Sequence, residues 1–141
     1  MLIRAVEAGD RAEWLRLRLA LWPDSAAEVE RVEVDTFLAG YPLPTLMAAF
    51  VAVRPEGGLG GLVEVAIHES APGCQSDRVG YVEAWYVDGD VRGQGVGQAL
   101  VERAAGCREM ASDTTPFYPI SPAAHAALGY AEVERYFRKV L

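Results

Sequence analysis

Residues Trp85 to Gln98 read Trp-Tyr-Val-Asp-Gly-Asp-Val-Arg-Gly-Gln-Gly-Val-Gly-Gln: an apolar strand, a short acidic turn, then a glycine-rich run opening a helix. A strand that passes into a helix through Gly93, Gly95 and Gly97 restricts the chain to folds in which sheet and helix meet at that corner. Successive main-chain N–H groups there, reinforced by the helix dipole, form a cradle suited to a pyrophosphate. A dinucleotide-binding fingerprint differs, because its first glycine follows the strand sooner and an acid comes about 20 residues later. A turn needing glycine only for flexibility produces similar letters, so the cradle has to be weighed against the rest of the chain.

The 141 residues, 51% of them hydrophobic, supply one core and one domain, residues 1–141, with no linker. A net charge of −7 argues against nucleic acid or an anionic membrane surface as partner and favours a small cation. The N-terminus soon reaches Glu7 and Asp10, without a signal-type apolar core, and no stretch approaches a membrane span. A cytoplasmic location is expected. Cys74 and Cys107 lack ligand spacing and read as free thiols in a reducing compartment.

Along the chain, strands and helices alternate. Leu2 to Val6 suits a strand. Asp10 is placed to cap a helix bearing Trp14, Leu17 and Leu21, which Pro23 ends. A second helix, roughly Ser25 to Ala39, is closed by Gly40. Thr45 to Val53 and Leu59 to Ile67 are β-rich runs around the turn Arg54 to Gly58. After a polar loop, His68 to Arg78, come the strand Val79 to Val87, a helix from about Gly95 to Gly106 and a short strand Glu109 to Ser112. A helix capped by Ser121 follows, with Pro122 at its first position and Gly129 as its stop, and a strand over Tyr130 to Val140 closes the order βααβββαβαβ.

That order, with Arg92-Gly93-Gln94-Gly95-Val96-Gly97, resembles the GCN5-related N-acetyltransferase (GNAT) superfamily and its Arg-x-x-Gly-x-Gly/Ala acetyl-CoA loop. The resemblance implies an α/β fold (α+β by some schemes): a mixed central sheet, flanked by helices, whose splayed parallel strands admit the cofactor's pantetheine arm. Three blocks narrow it. Trp14-Leu15-x-Leu17-Arg18-x-x-Leu21-Trp22-Pro23-Asp24, Gly80 to Val87, and Ala111-Ser112-Asp113-Thr114 with Ile120-Ser121-x-x-x-His125-x-x-Leu128-Gly129-Tyr130-x-Glu132-x-Glu134-Arg135 are similar to segments of the aminoglycoside 6'-N-acetyltransferases.

Acetylating an amine requires a neutral nitrogen, whereas an aminoglycoside's primary amine arrives protonated, so the site must attract a cation and remove its proton. Glu83, an acid among Val82, Ala84 and Trp85, is the candidate general base and ammonium ligand; the alternative is an outward charge on a strand edge. Asp113 is either a second acid of the cleft or an Asx-type turn. Glu134 is either a third substrate acid or part of a solvated strand face. Trp22 is either a wall for a sugar ring or core.

The resemblance implies that Trp85, Tyr86 and Val87 hydrogen-bond the pantetheine, with the N–H of Tyr86 or Val87 polarising the thioester carbonyl. Arg92, Gly93, Gln94, Gly95, Val96, Gly97 and Gln98 would cradle the pyrophosphate, with Tyr118 near the thiol where the family commonly has Asn. No metal is expected; His68 is a lone imidazole, and Asp88-Gly89-Asp90 reads as a turn and not a calcium loop. His125 stands where many relatives place a tyrosine acid, and Ser70 where an aromatic lines the substrate loop. The implied reaction is direct acetyl transfer in a ternary complex to an aminoglycoside 6'-amine, by a homodimer. Acetylation of another cationic amine, a polyamine or a peptide, and a catalytically silent CoA-binding module are the alternatives.

Overall fold

Among the described residues, five strands and four α-helices form. The computed structural model describes residues 1–104 and 106–141. The strands are Leu2–Ala5 (β1), Ala48–Val53 (β2), Leu59–His68 (β3), Val79–Val87 (β4) and Glu109–Ser112 (β5). The helices are Arg11–Leu21 (α1), Ala27–Leu38 (α2), Val96–Ala104 (α3) and Ser121–Ala127 (α4). The expected helix from Gly95 to Gly106 is thus α3, with residue 105 outside the described residues.

The strands lie in sequence order, antiparallel from β1 to β4, with β5 parallel to β4. This mixed sheet is the expected α/β architecture. β3 reads as a continuous apolar run because both its faces are covered. On one face Leu62 and Ala84 pack with Trp14, Leu17 and Leu21 of α1 and Val34 of α2. On the other, Val63, Val65 and Val82 pack with Val96, Leu100 and Val101 of α3.

Two features of β4 shape the site. First, it pairs with β5 only from Val79 to Val82, because β5 ends at Ser112 while β4 runs on to Val87. The second half of β4 therefore has an open edge, which is the expected splay. Second, Ala84 opposes Glu64 and Val82 opposes Val65, leaving Glu83 without a cross-strand partner. A β-bulge of this kind re-aims a side chain and breaks the simple inward-outward alternation.

Several local expectations change. Tyr130 to Val140 forms no strand; although its sequence alternates, a strand needs a ladder partner, and within one chain the segment finds none. Asp10 does not cap α1 with its side chain. Its carboxylate instead accepts from the Arg4 guanidinium at 2.6 and 2.9 Å and from the Glu7 N–H at 2.8 Å, bracing the 3-10 turn before the helix. Ser121 is the first residue of α4 and not its cap, with Pro122 second. Its hydroxyl lies 3.1 Å from Nδ1 of His125.

Candidate functional site

Arg18 makes the first wall of the site. It sits one turn after Trp14, so α1 carries a guanidinium on the stripe it buries. Isolated burial of that charge is costly, and three carboxyls answer it. Arg18 Nε lies 2.8 Å from Glu30 and 3.6 Å from Glu64, and Nη2 donates to Glu33. Its Cζ sits 5.2 Å over the ring of Trp22. Glu30 is further held by the Ser25 hydroxyl at 2.5 Å, and Glu64 by the Trp14 indole N–H at 2.7 Å.

Arg18, Trp22, Glu30, Glu33, Thr45, Glu64 and Glu83 together line an open cleft of about 250 Å³. Four carboxyls stand against one guanidinium, giving the cleft an acidic lining. Burial pushes the Glu64 carboxyl up to about 7, against the opposing pull of Arg18 and the Trp14 hydrogen bond.

The bulge puts Glu83 on this cleft, where its Oε1 lies 2.6 Å from Nε2 of His68. His68 stacks on Tyr81, with ring centroids 4.3 Å apart and planes 11° from parallel. Tyr81 in turn meets Asp113: burial first, then the neighbouring Asp113 carboxylate, pushes its phenol up to about 12. Asp113 is exposed just past the end of β5. Glu134 does not line the cleft; it is exposed on the final segment and accepts from the Tyr136 hydroxyl at 2.7 Å. Of the sequence-derived acceptor residues, the structure therefore brings Trp22 and Glu83 together, links Asp113 to them through Tyr81 and His68, and leaves Glu134 apart.

At the glycine corner, Gly93 and Gly95 have φ of +73° and +81°, and nothing lies within 4 Å of where a Cβ would project. Gly97 serves differently. A Cβ there would sit 3.1 Å from the Trp85 ring, so it lets β4 pack closely under α3. The first-turn N–H groups of α3 have no helical partner. The side chains turn elsewhere: Gln94 to the Asp90 carbonyl, Gln98 to Glu102, and Arg92 Nε to the Val87 carbonyl at 2.7 Å, over the Tyr86 ring. What remains presented is main chain, which fits a diphosphate.

The Asp88 N–H donates to Gly60 on β3, so by strand alternation the main-chain polar groups of Tyr86 also face β3, while those of Trp85 and Val87 face the open edge. Of the two expected donors, Tyr86 and Val87, only Val87 has its main-chain N–H on the open edge. The Trp85 indole Nε1 is buried without a hydrogen-bond partner. Tyr118 reaches the opposite cluster, donating from its hydroxyl to the Leu21 carbonyl at 3.0 Å.

His125 is hydrogen-bonded on both ring nitrogens, to the Ser121 carbonyl and to Ser112 Oγ, each at 2.8 Å, and lies between Trp85 and Tyr130. It is a packed histidine. Among the described residues no group of three His, Cys, Asp or Glu is arranged to hold a metal, and no helix is long and apolar enough to cross a membrane.

Sequence reasoning missed Arg18, Glu30, Glu33 and Glu64 as site walls, and His68 as the partner of Glu83. The available signal was a charge on an apolar helical stripe, at Arg18 between Trp14 and Leu21.

A model described as the acetyltransferase (GNAT) family matches residues 12–130. The type 1 aminoglycoside N(6')-acetyltransferase of Klebsiella aerogenes is 41% identical, covering 99% of this chain and 97% of its own, and that of Stenotrophomonas maltophilia is 40% identical, covering 99% and 93%. The structure of AAC(6')-Iy in complex with the bisubstrate analog CoA-S-monomethyl-acetylneamine superposes with a TM-score of 0.83 at 32% identity, covering 99% of this chain and 98% of that one. With the splayed β4–β5 pair, the glycine corner and full-length similarity in agreement, the chain belongs to the acetyltransferase (GNAT) family, on the branch of the type 1 aminoglycoside N(6')-acetyltransferases.

Proposed function

We propose that the protein transfers acetyl from acetyl-CoA to a primary amine, the 6'-amine of an aminoglycoside, by direct attack in a ternary complex. The observation that carries this reading is the acidic cleft at the bulge of β4, beside an open strand edge that leads to the glycine corner. Gly93, Gly95 and the first turn of α3 would hold the diphosphate, and outward main-chain groups of Trp85 and Val87 the pantetheine. Acetyl-CoA supplies the acetyl group as an activated thioester.

Glu83 binds the acceptor's ammonium and removes one proton, a role worth on the order of 10² to 10⁴ in rate. Trp22 flanks a sugar ring, and Asp113 adds negative charge at the cleft's edge. The N–H of Val87 steadies the oxygen that gains charge, typically worth a factor of about 10² to 10³. The AAC(6')-Iy complex with CoA-S-monomethyl-acetylneamine supports both the donor and the acceptor class.

We read residues 1–141 as one domain, since both hydrophobic clusters share a single sheet. We place it in the cytosol, where its two free cysteines stay reduced, and in a homodimer. Exposed Tyr136, Phe137, Val140 and Leu141, on a segment without ladder partners, support that last assignment.

The test is thiol release from acetyl-CoA by purified protein offered a kanamycin-type aminoglycoside, a polyamine and a lysine peptide. Release is expected with the aminoglycoside at a kcat/KM well above the others. A polyamine or peptide preference transfers the activity to that amine, and no release with any amine overturns the enzymatic reading.

A further inference from the structure

We propose that His68 is the positioning residue for Glu83: its Nε2–H fixes one carboxylate oxygen, so that the other is presented to the acceptor's ammonium. The inference rests on the reading of Glu83 as the group that binds and deprotonates the acceptor. Nothing in the main chain orients Glu83. At the bulge it has no cross-strand neighbour, and an unrestrained glutamate loses rotamer freedom when fixed. Something must hold it.

His68 is the side chain in place to do so, with Nε2 at 2.6 Å from Oε1. An ionised carboxylate accepts only, so Nε2 carries the hydrogen and donates. The ring is itself held by its stack on Tyr81 of β4. Tyr81, His68 and Glu83 thus form a connected row leading to the bulge of β4. Because His68 takes only Oε1, Oε2 remains for the substrate.

Displacing a reacting group by about 1 Å can cost roughly 10²-fold in rate. The experiment compares His68→Phe, which keeps an aromatic stack and removes the donor, with His68→Gln, whose amide N–H substitutes for Nε2. His68→Phe is expected to lower kcat/KM for the aminoglycoside by about 10- to 100-fold, with acetyl-CoA affinity unchanged by calorimetry. His68→Gln is expected to recover most of the loss. In a Glu83→Gln background, His68→Phe should cost nothing further, since His68 acts through Glu83.

Wild-type kcat/KM in His68→Phe, equal losses in the Gln and Phe variants, or full additivity with Glu83→Gln each overturn the proposal. Glu83→Gln alone separates the two ideas. If it keeps wild-type turnover, the reading of Glu83 itself fails; if it collapses while His68→Phe does not, only the positioning role is lost.

Discussion

Glu64 stands where a carboxylate is least at home, 1% exposed between Trp14 and the Arg18 guanidinium. Its carboxyl is raised from the ordinary 4.5 to about 7, mostly by burial. Between those values the folded chain keeps a proton the unfolded chain has lost. The stabilising contribution is therefore complete below about 4.5 and disappears as pH rises through about 7. Glu64→Gln retains an acceptor for the Trp14 N–H and cannot ionise, while Glu30 and Glu33 still answer Arg18. Its stability relative to wild type should rise from pH 5 to pH 8 by up to on the order of 3 kcal/mol, read as a widening gap in Tm. Carboxylates held low by arginines, such as Asp10 and Glu13, slope the other way but are common to both proteins and drop out of the difference. A gap constant across pH would mean that Glu64 is ionised throughout. At this scale the sequence revealed Glu83 because an acid in an apolar strand is conspicuous. It concealed Arg18 and Glu64 because their meaning depends on each other, 46 positions apart.

Strand β4, the glycine corner and helix α3 form the element to which the proposed function assigns acetyl-CoA binding. Gly95 occupies the left-handed region at φ +81° with open space beyond it. Valine there meets both costs at once: a β-branched residue is strained at that φ by about 1 to 3 kcal/mol, and its methyls enter the cradle. Gly95→Val should weaken acetyl-CoA binding at least about tenfold in calorimetry, while the Tm of the ligand-free protein falls only modestly. Unchanged affinity would remove the corner from the binding site. This element was readable because glycine spacing, strand pattern and helix pattern converge over fourteen residues, Trp85 to Gln98. The bulge at Glu83 was not: one extra residue shifts the inward-outward phase without altering composition, so alternation could not say which way Glu83 points.

The final segment shows what a whole molecule adds. Tyr130 to Val140 has a strand's alternation, yet in one chain it forms no ladder, with Phe137 92% and Tyr136 84% exposed. Among the described residues the outer edge of β5 is also unpaired. Both deficits are satisfied if the segment pairs with a second copy of the chain, a partner no reading of a single chain can supply. The intact protein should therefore run at twice 15.3 kDa in light scattering. Phe137→Asp with Val140→Asp should shift it toward the monomer. Each buried apolar side chain is worth about 1.5 to 3 kcal/mol, so losing two weakens association by roughly 10²-fold or more. A wild-type protein that scatters at 15.3 kDa across micromolar concentrations sinks the dimer. A dimer indifferent to both substitutions places its interface on another face. Because Tyr136 holds Glu134, the same variants should also show whether pairing bears on the acceptor cleft: kcat/KM for the aminoglycoside falls with the dimer if the paired segment completes it, and holds if Glu83, Trp22 and Asp113 suffice within one chain.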